Sequence, residues 1–212
     1  MDTQTFGLAM AAVLLVATSG MSAFALGRQG NHLLAALWLL PCLSGMSYLL
    51  FGLYGILIAL DISRLCDEIL MVLGMPIVAT AGLMAATHGY KPSKRASTVF
   101  LVAVLAAVAL LELADSVFRV KQALSLGMWL AFSIYLWYFA RRLARVGEFT
   151  HAAGIVAAVL SAQAVLMARN LQGMAGIGAS FSFQLYEILA CTFVCAQMFL
   201  AYGALEQFNE RA

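Results

Sequence analysis

Glu187 lies in the stretch LYEILACTFVCAQMF, residues 185–199, where it is the only ionisable side chain apart from a tyrosine and two cysteines. A carboxylate in such a setting can hold a proton, a cation or an arginine. A charge at the centre of a membrane helix costs about 2.5–3.5 kcal/mol on insertion scales, so it is expected to face a bundle interior or a cavity. Arg169, near the end of the preceding apolar run, is the cation that could meet it. Asp61, Arg64, Asp67 and Glu68 cluster near the start of another apolar run, and Glu112 and Asp115 close a further one. We expect Asp67, Glu68, Glu112 and Arg169 to form an outer polar vestibule, with Glu187 below it. Three readings of Glu187 stand: an ion pair with Arg169 that fixes helix register, a ligand- or proton-binding acid, and an exposed interfacial acid.

The elements that must position these groups are membrane helices. Of the 212 residues, 64% are hydrophobic and only 10% charged, against about 25% charged in soluble domains. Mean hydropathy is +0.94. The net charge of +2 gives no reason to expect nucleic acid as a partner. A bilayer core takes about 20 apolar residues per helix. Seven runs qualify, at roughly 6–27, 32–58, 66–88, 96–118, 123–145, 150–170 and 177–204. Short connections make 1–212 one domain, and LEQFNERA reads as a tail beyond the last helix. The expected fold is all-α and integral to the membrane, a seven-helix bundle.

The placement of arginine and lysine sets the direction. With the N-terminus outside, Arg28, Lys91, Lys94, Arg95, Arg141, Arg142, Arg145 and Arg211 fall on the cytoplasmic side. Arg64, Arg119, Lys121 and Arg169 fall outside. The expectation is a multi-pass protein of a bacterial-type inner membrane, with its N-terminus out and C-terminus in. The inner half then holds little that ionises except loop cations.

Other candidate groups read as structural. Cys42, Cys66, Cys191 and Cys195 lack the pattern of a disulfide framework or a zinc site. His32, His88 and His151 sit near helix ends, not in the paired mid-membrane placement of a bis-histidine haem. Trp129, Trp137 and Tyr138 read as packing, with a cofactor wall as the rival. Ser19, Ala23 and Gly27, spaced by four, permit close helix approach, either within the chain or in a homo-oligomer or membrane partner contact. No metal set, nucleophile–base pair or phosphate loop stands out, so no enzyme is expected.

Several stretches resemble microbial rhodopsins. LLPCLSGMSYLLFGLYG, with Pro41, Tyr48 and Leu49, resembles that family's second helix, and SGMSAFAL its first. Trp129 and Ser133 match residues flanking the retinal pocket, and LSAQAVLMA, with Ser161 and Ala162, resembles a sixth-helix motif. The resemblance implies a pocket that includes Glu187, Trp129, Ser133, Ser161, Gln163 and Met167. It puts Val194 where the family has its Schiff-base lysine, and Ala190 where it has an aspartate one turn earlier. Glu187 shares their helix face. The pocket aromatics of the sixth helix become Leu160, Gln163, Ala164 and Met167. Two registers are open for the third helix, one on Pro76 and one on Arg64 with Asp67; in either the cytoplasmic proton donor is absent.

The implied protein is a rhodopsin-like member without covalent retinal, acting as a light-independent sensor, scaffold or signalling partner. The alternatives are a passive or ligand-gated transporter of protons or small solutes, and a non-covalent retinal or carotenoid binder. The only lysines, Lys91, Lys94 and Lys121, lie near loops, and an aldimine requires an amine. Protein mixed with all-trans retinal should therefore show no red-shifted visible band, and a borohydride-trapped adduct inside the bundle would sink this expectation.

Overall fold

The computed structural model describes residues 3–89, 93–113, 118–175 and 180–211. Helix is the only regular structure among them. Helices α1 (Thr3–Arg28) and α2 (His32–Tyr54) are followed by α3 (Leu57–Ile69), which runs through a π-helical segment (Leu70–Ala79) into α4 (Thr80–His88). Then come α5 (Lys94–Leu113), α6 (Phe118–Arg145), α7 (Phe149–Ala175) and α8 (Phe181–Arg211).

Helices α1, α2, α7 and α8 are long and apolar enough to cross a membrane, and α3 with α4, bent by 51°, counts as a fifth if it is one span. Over their described residues α5 and α6 do not meet that measure, so the seven crossings expected from the sequence are not all established. Two boundaries also differ. The second run stops at Tyr54, because Gly55 takes a left-handed conformation (φ 67°) and returns its N–H to the Phe51 carbonyl; glycine adopts this cap without a Cβ penalty. The apparent tail is helical from Leu205 as far as Arg211, where α8 ends.

The helices close on themselves. Helix α1 packs on α2 and α8, α2 on α3, the π-helical segment on α6, and α7 between α6 and α8; α5 lies against the third span and α2. One end is tightly filled. Leu26, Trp38, Leu83, Leu143, Ile155 and Leu205, from six different helices, are each fully buried there. The stripe of Ser19, Ala23 and Gly27 belongs to this packing: Ser19 and Ala23 are buried, and a Cβ on Gly27 would meet Ala35 of α2. It therefore serves contact within the chain.

The bend in the third span has a local cause. Pro76 has no N–H to give. In a π-helix the amide of residue i pairs with the carbonyl of i−5, so Pro76 leaves the Met71 carbonyl without its main-chain donor. Trp129 Nε1 of α6 donates to that carbonyl at 2.7 Å. Thr80 Oγ1 donates to the Pro76 carbonyl at 2.6 Å.

The end of α4 is held from two sides, and its first turn from a third. Its last carbonyls have no intrahelical partner. Asn209 Nδ2 of α8 donates to the Ala86 carbonyl at 2.7 Å, and Arg142 Nη1 of α6 donates to that of Thr87. Asn31 Nδ2 donates to the Gly82 carbonyl at 2.8 Å, while its Oδ1 caps α2 by accepting from Leu34 N. Arg142, expected as a loop cation, is thus drawn into the bundle, and Asn209 of the supposed tail is a structural clamp.

Trp129→Phe removes the indole donor and should cost about 1–3 kcal/mol, the penalty for a buried acceptor left unpaired. Pro76→Ala restores an N–H, and in that background the same change should cost less. Thermal unfolding of the four proteins in detergent measures both. Equal costs in the two backgrounds would mean that Trp129 serves packing alone.

Candidate functional site

At the opposite end from the tight packing, three helices present the same spacing to a common space. Pro41, Ser44, Gly45 and Tyr48 of α2 recur at i, i+3, i+4 and i+7, as do Leu60, Ser63, Arg64 and Asp67 of α3, and Gln184, Glu187, Ile188 and Cys191 of α8. That spacing is one face of an α-helix. Together with Ala12 and Leu15 of α1, Leu70, Met71 and Arg169, they enclose a cavity of about 310 Å³. This is the lower end of ligand-pocket sizes. Gly45 lets α1 and α2 approach: a Cβ there would lie 2.8 Å from Val16 Cγ2.

The polar lining is organised in two groups. Ser44 Oγ lies 2.7 Å from Asp67 Oδ1, donating to it, and 3.0 Å from Ser63 Oγ. Both serines are buried, so α2 and α3 are tied together beneath Asp67. Across the cavity, Arg169 of α7 stands between two acids. Its Nη1 is 3.5 Å from Glu187 Oε1 and its Nη2 is 3.7 Å from Glu68 Oε1. The side chains of Arg169, Glu68 and Glu187 are 37%, 34% and 26% exposed, so this is a loose, partly wetted bridge joining α3, α7 and α8.

Glu187 also lines a second, smaller cavity of about 20 Å³ with Leu70, Met71, Trp129, Ala190, Cys191 and Val194. That volume accommodates about one water. Glu187 therefore stands at the neck between a polar chamber and an apolar pocket. Ala190 and Val194 are buried on its helix face.

The other expected pocket residues do not all converge. Ser133 Oγ donates to the Trp129 carbonyl at 2.8 Å, and Gln163 Nε2 donates to Ser133 Oγ at 2.6 Å. With the Trp129 indole on Met71, this knot binds the third span, α6 and α7. Ser161 Oγ donates to the carbonyl of Ala158 on its own helix. Met167 is 64% exposed and Leu160 likewise faces outward. Ala162 and Val165 form the α7 wall instead. Met167 lies two residues beyond Val165, roughly 200° around the helix at 3.6 residues per turn. Glu112 lies on α5, but its side chain is outside the described residues, as is Asp115.

Trp129 is buried, whereas Trp137 is exposed and carries Arg141 over its ring at 5.5 Å. Tyr138 stacks with His88 at 6.1 Å, so these aromatics form no common wall. The four cysteines are free thiols. Among the described residues no group of three His, Cys, Asp or Glu side chains is arranged to hold a metal ion.

Sequence reasoning found the acids and Arg169 but missed Ser44, Ser63, Tyr48 and Gln184. A signal was available for two of them: Ser63 shares its helix face with Asp67, and Gln184 shares its face with Glu187. Asn31, Arg142 and Asn209 had no comparable signal, because their partners are main-chain carbonyls.

The chain is an all-helical protein whose apolar helices suit a membrane, with a polar cavity at one end. No family model matches it, and neither a curated protein nor a solved structure is similar to it.

Arg169 serves two acids, so Arg169→Ala takes an ion pair from each of Glu187 and Glu68, while Glu187→Gln leaves the Arg169–Glu68 pair in place. In this partly exposed setting we expect Arg169→Ala to lower stability by about 1–2 kcal/mol and Glu187→Gln by less. The double variant should recover part of the larger loss. Additive effects in thermal unfolding would mean that the bridge has no energetic weight.

Proposed function

We propose that this is a light-independent sensor of the rhodopsin-like type, spanning a bacterial-type inner membrane seven times with its N-terminus outside and C-terminus in the cytoplasm. Its stimulus is a small solute entering the polar cavity, and its output is the position of the inner end of the third span. The observation that carries this reading is the one-sidedness of the bundle. A 310 Å³ cavity with charged walls occupies one end, and fully buried apolar side chains fill the other.

The third span supplies the connection. Asp67 on α3 lines the cavity, as do Leu70 and Met71 of the π-helical segment. The same chain ends in α4, whose carbonyls are gripped by Asn31, Arg142 and Asn209. A solute that displaces α3 changes the load on that grip, and Asn209 lies on the last helix. Scaffold or signalling contacts would then read the inner ends of α6 and α8.

The rhodopsin-like arrangement is supported by Glu187, Ala190 and Val194 sharing one cavity with Trp129. The two rival functions have less support. Transport needs a path through the inner packing of Leu26, Trp38 and Leu83, and a bound retinal or carotenoid needs far more than the 20 Å³ beside Val194.

Leu60→Phe places extra volume in the cavity and acts as a permanent occupant. Hydrogen exchange in residues 80–88 and 205–211 should change in this variant while global stability stays close to that of the parent protein. Unchanged exchange at both places would overturn the sensor reading. Proton flux through proteoliposomes that is abolished by Glu187→Gln would promote the transporter in its place.

A further inference from the structure

We propose that the furrow between the adjoining ends of α6 and α7 holds an anionic phospholipid, its phosphate on Arg141 and one acyl chain along a bed of alanines. This goes beyond the sensor reading and requires only that the two helices lie in a bilayer.

The furrow is built from both helices. Trp137, Ala140, Arg141 and Ala144 of α6 recur at i, i+3, i+4 and i+7, so they share one helix face. Ala152, Ala153 and Val156, at the start of α7, form the opposite wall. Together they line a space of about 200 Å³. Ala140 and Ala152 are buried, whereas Trp137, Arg141 and Ala153 are exposed, so the furrow opens on the outside of the bundle. In a bilayer that side faces lipid. Every lining residue except Arg141 is apolar or aromatic, which suits an acyl chain.

The charge selects the headgroup. Arg142 turns inward to the Thr87 carbonyl. Arg141 has no hydrogen-bond or ion-pair partner among the described residues, and its guanidinium lies over the Trp137 ring at 5.5 Å. A guanidinium has five donors in a fork that matches a phosphate. Arg145 adds a second exposed cation one turn further along α6. No acid lines the furrow. Glu148, in the connection between the helices, has its carboxylate 3.9 Å from His151 Nε2 instead. The ammonium of a zwitterionic headgroup therefore finds no carboxylate in the furrow, and a lipid of net negative charge fits it better. The order along α6 agrees. Tryptophan favours the membrane–water boundary, and an arginine one turn beyond it lays its stem on apolar surface and its charge among headgroups.

The three tryptophans make the test direct. Trp38 and Trp129 are buried, and Trp137 is 51% exposed at the furrow, so bromine on a bound acyl chain quenches Trp137. The full chain is placed in bilayers of phosphatidylcholine mixed with phosphatidylglycerol whose chains are dibrominated, and in the reverse pair with the bromine on phosphatidylcholine. Competition between the two lipids gives their relative affinity. Phosphatidylglycerol should be preferred about fivefold, the contribution of one basic residue near an anionic surface. Arg141→Gln should abolish the preference. Ala153→Leu fills an exposed part of the furrow without changing charge, and should weaken it. Arg28→Gln removes an arginine that likewise lies over an aromatic ring, that of Phe24 at 5.9 Å, but on α1, and should leave it unchanged. Equal quenching by both lipids, or a preference that survives Arg141→Gln, would overturn the proposal. So would a preference undiminished in Ala153→Leu, which means a surface charge with no chain site, or one lost in Arg28→Gln, which means surface potential alone. Quenching by neither lipid, in a chain that runs as a dimer, would give the furrow to a second copy instead.

Discussion

A main-chain carbonyl inside a membrane has no water to turn to, so every one must find a donor within the protein. In this chain the requirement is sharpest in the third span, where Pro76 withholds an N–H and the helix opens into the π form. Part of the polar chemistry of the interior answers that single defect. Trp129 gives its indole to Met71, and Ser133 and Gln163 then anchor Trp129's own helix to α7. At the far end Asn31, Arg142 and Asn209 meet the carbonyls of α4. A span that cannot hold itself together is held by its neighbours, and those neighbours are thereby told where it is.

The two ends of the bundle solve different problems. One end is close-packed with Leu, Trp, Phe and Met side chains from α1, α2, α4, α6, α7 and α8, an arrangement that tolerates little change in volume. The other end keeps space and charge. Its helices are tied by side-chain contacts, Ser44 with Asp67 and Arg169 with two glutamates. Such contacts can be exchanged for contacts with a solute at small net cost, because partly solvated ion pairs are individually weak. Stiffness at one end and exchangeable contacts at the other are what the proposed sensor would require of a lever anchored near its output.

Legibility followed the same division. Long apolar runs marked helices at the right places for α1, α2, α7 and α8, and the isolated Glu187 marked an inward face. Boundaries were harder. Helix α3 begins nine residues before the expected run, because its charges were read as a loop entering the membrane, whereas Ala59, Ser63, Cys66 and Ile69 form a buried helical stripe through them. The tail was misread for a similar reason: polar LEQFNERA looks like solvent-facing chain, yet Tyr202 and Leu205 are fully buried and lead the helix on to Asn209. Met167 failed because it was placed by matching a motif rather than by asking which face of α7 Arg169 and Val165 share. A single sequence carries helical periodicity well. It carries almost nothing about which side chain will meet a distant main-chain carbonyl.

Met71 is where the site and the defect become one problem. It lines both cavities, and its carbonyl is the acceptor for Trp129. In the proposed sensor, a solute pressing on Met71 must either leave that hydrogen bond intact, moving Trp129 and the knot to α7 with it, or break it. Breaking it leaves a buried carbonyl unpaired at about 1–3 kcal/mol, which is the size of typical coupling free energies between sites. The cheaper course is concerted movement, in which the third span, α6 and α7 shift together and α8 follows through Glu187 and Arg169. The lone glutamate then has a role beyond charge balance. It sits at the neck between chamber and pocket, on the helix that carries Asn209, and its loose ion pair with Arg169 joins α8 to α7, while the hydrogen bond to the Met71 carbonyl joins the π-helical segment to α6.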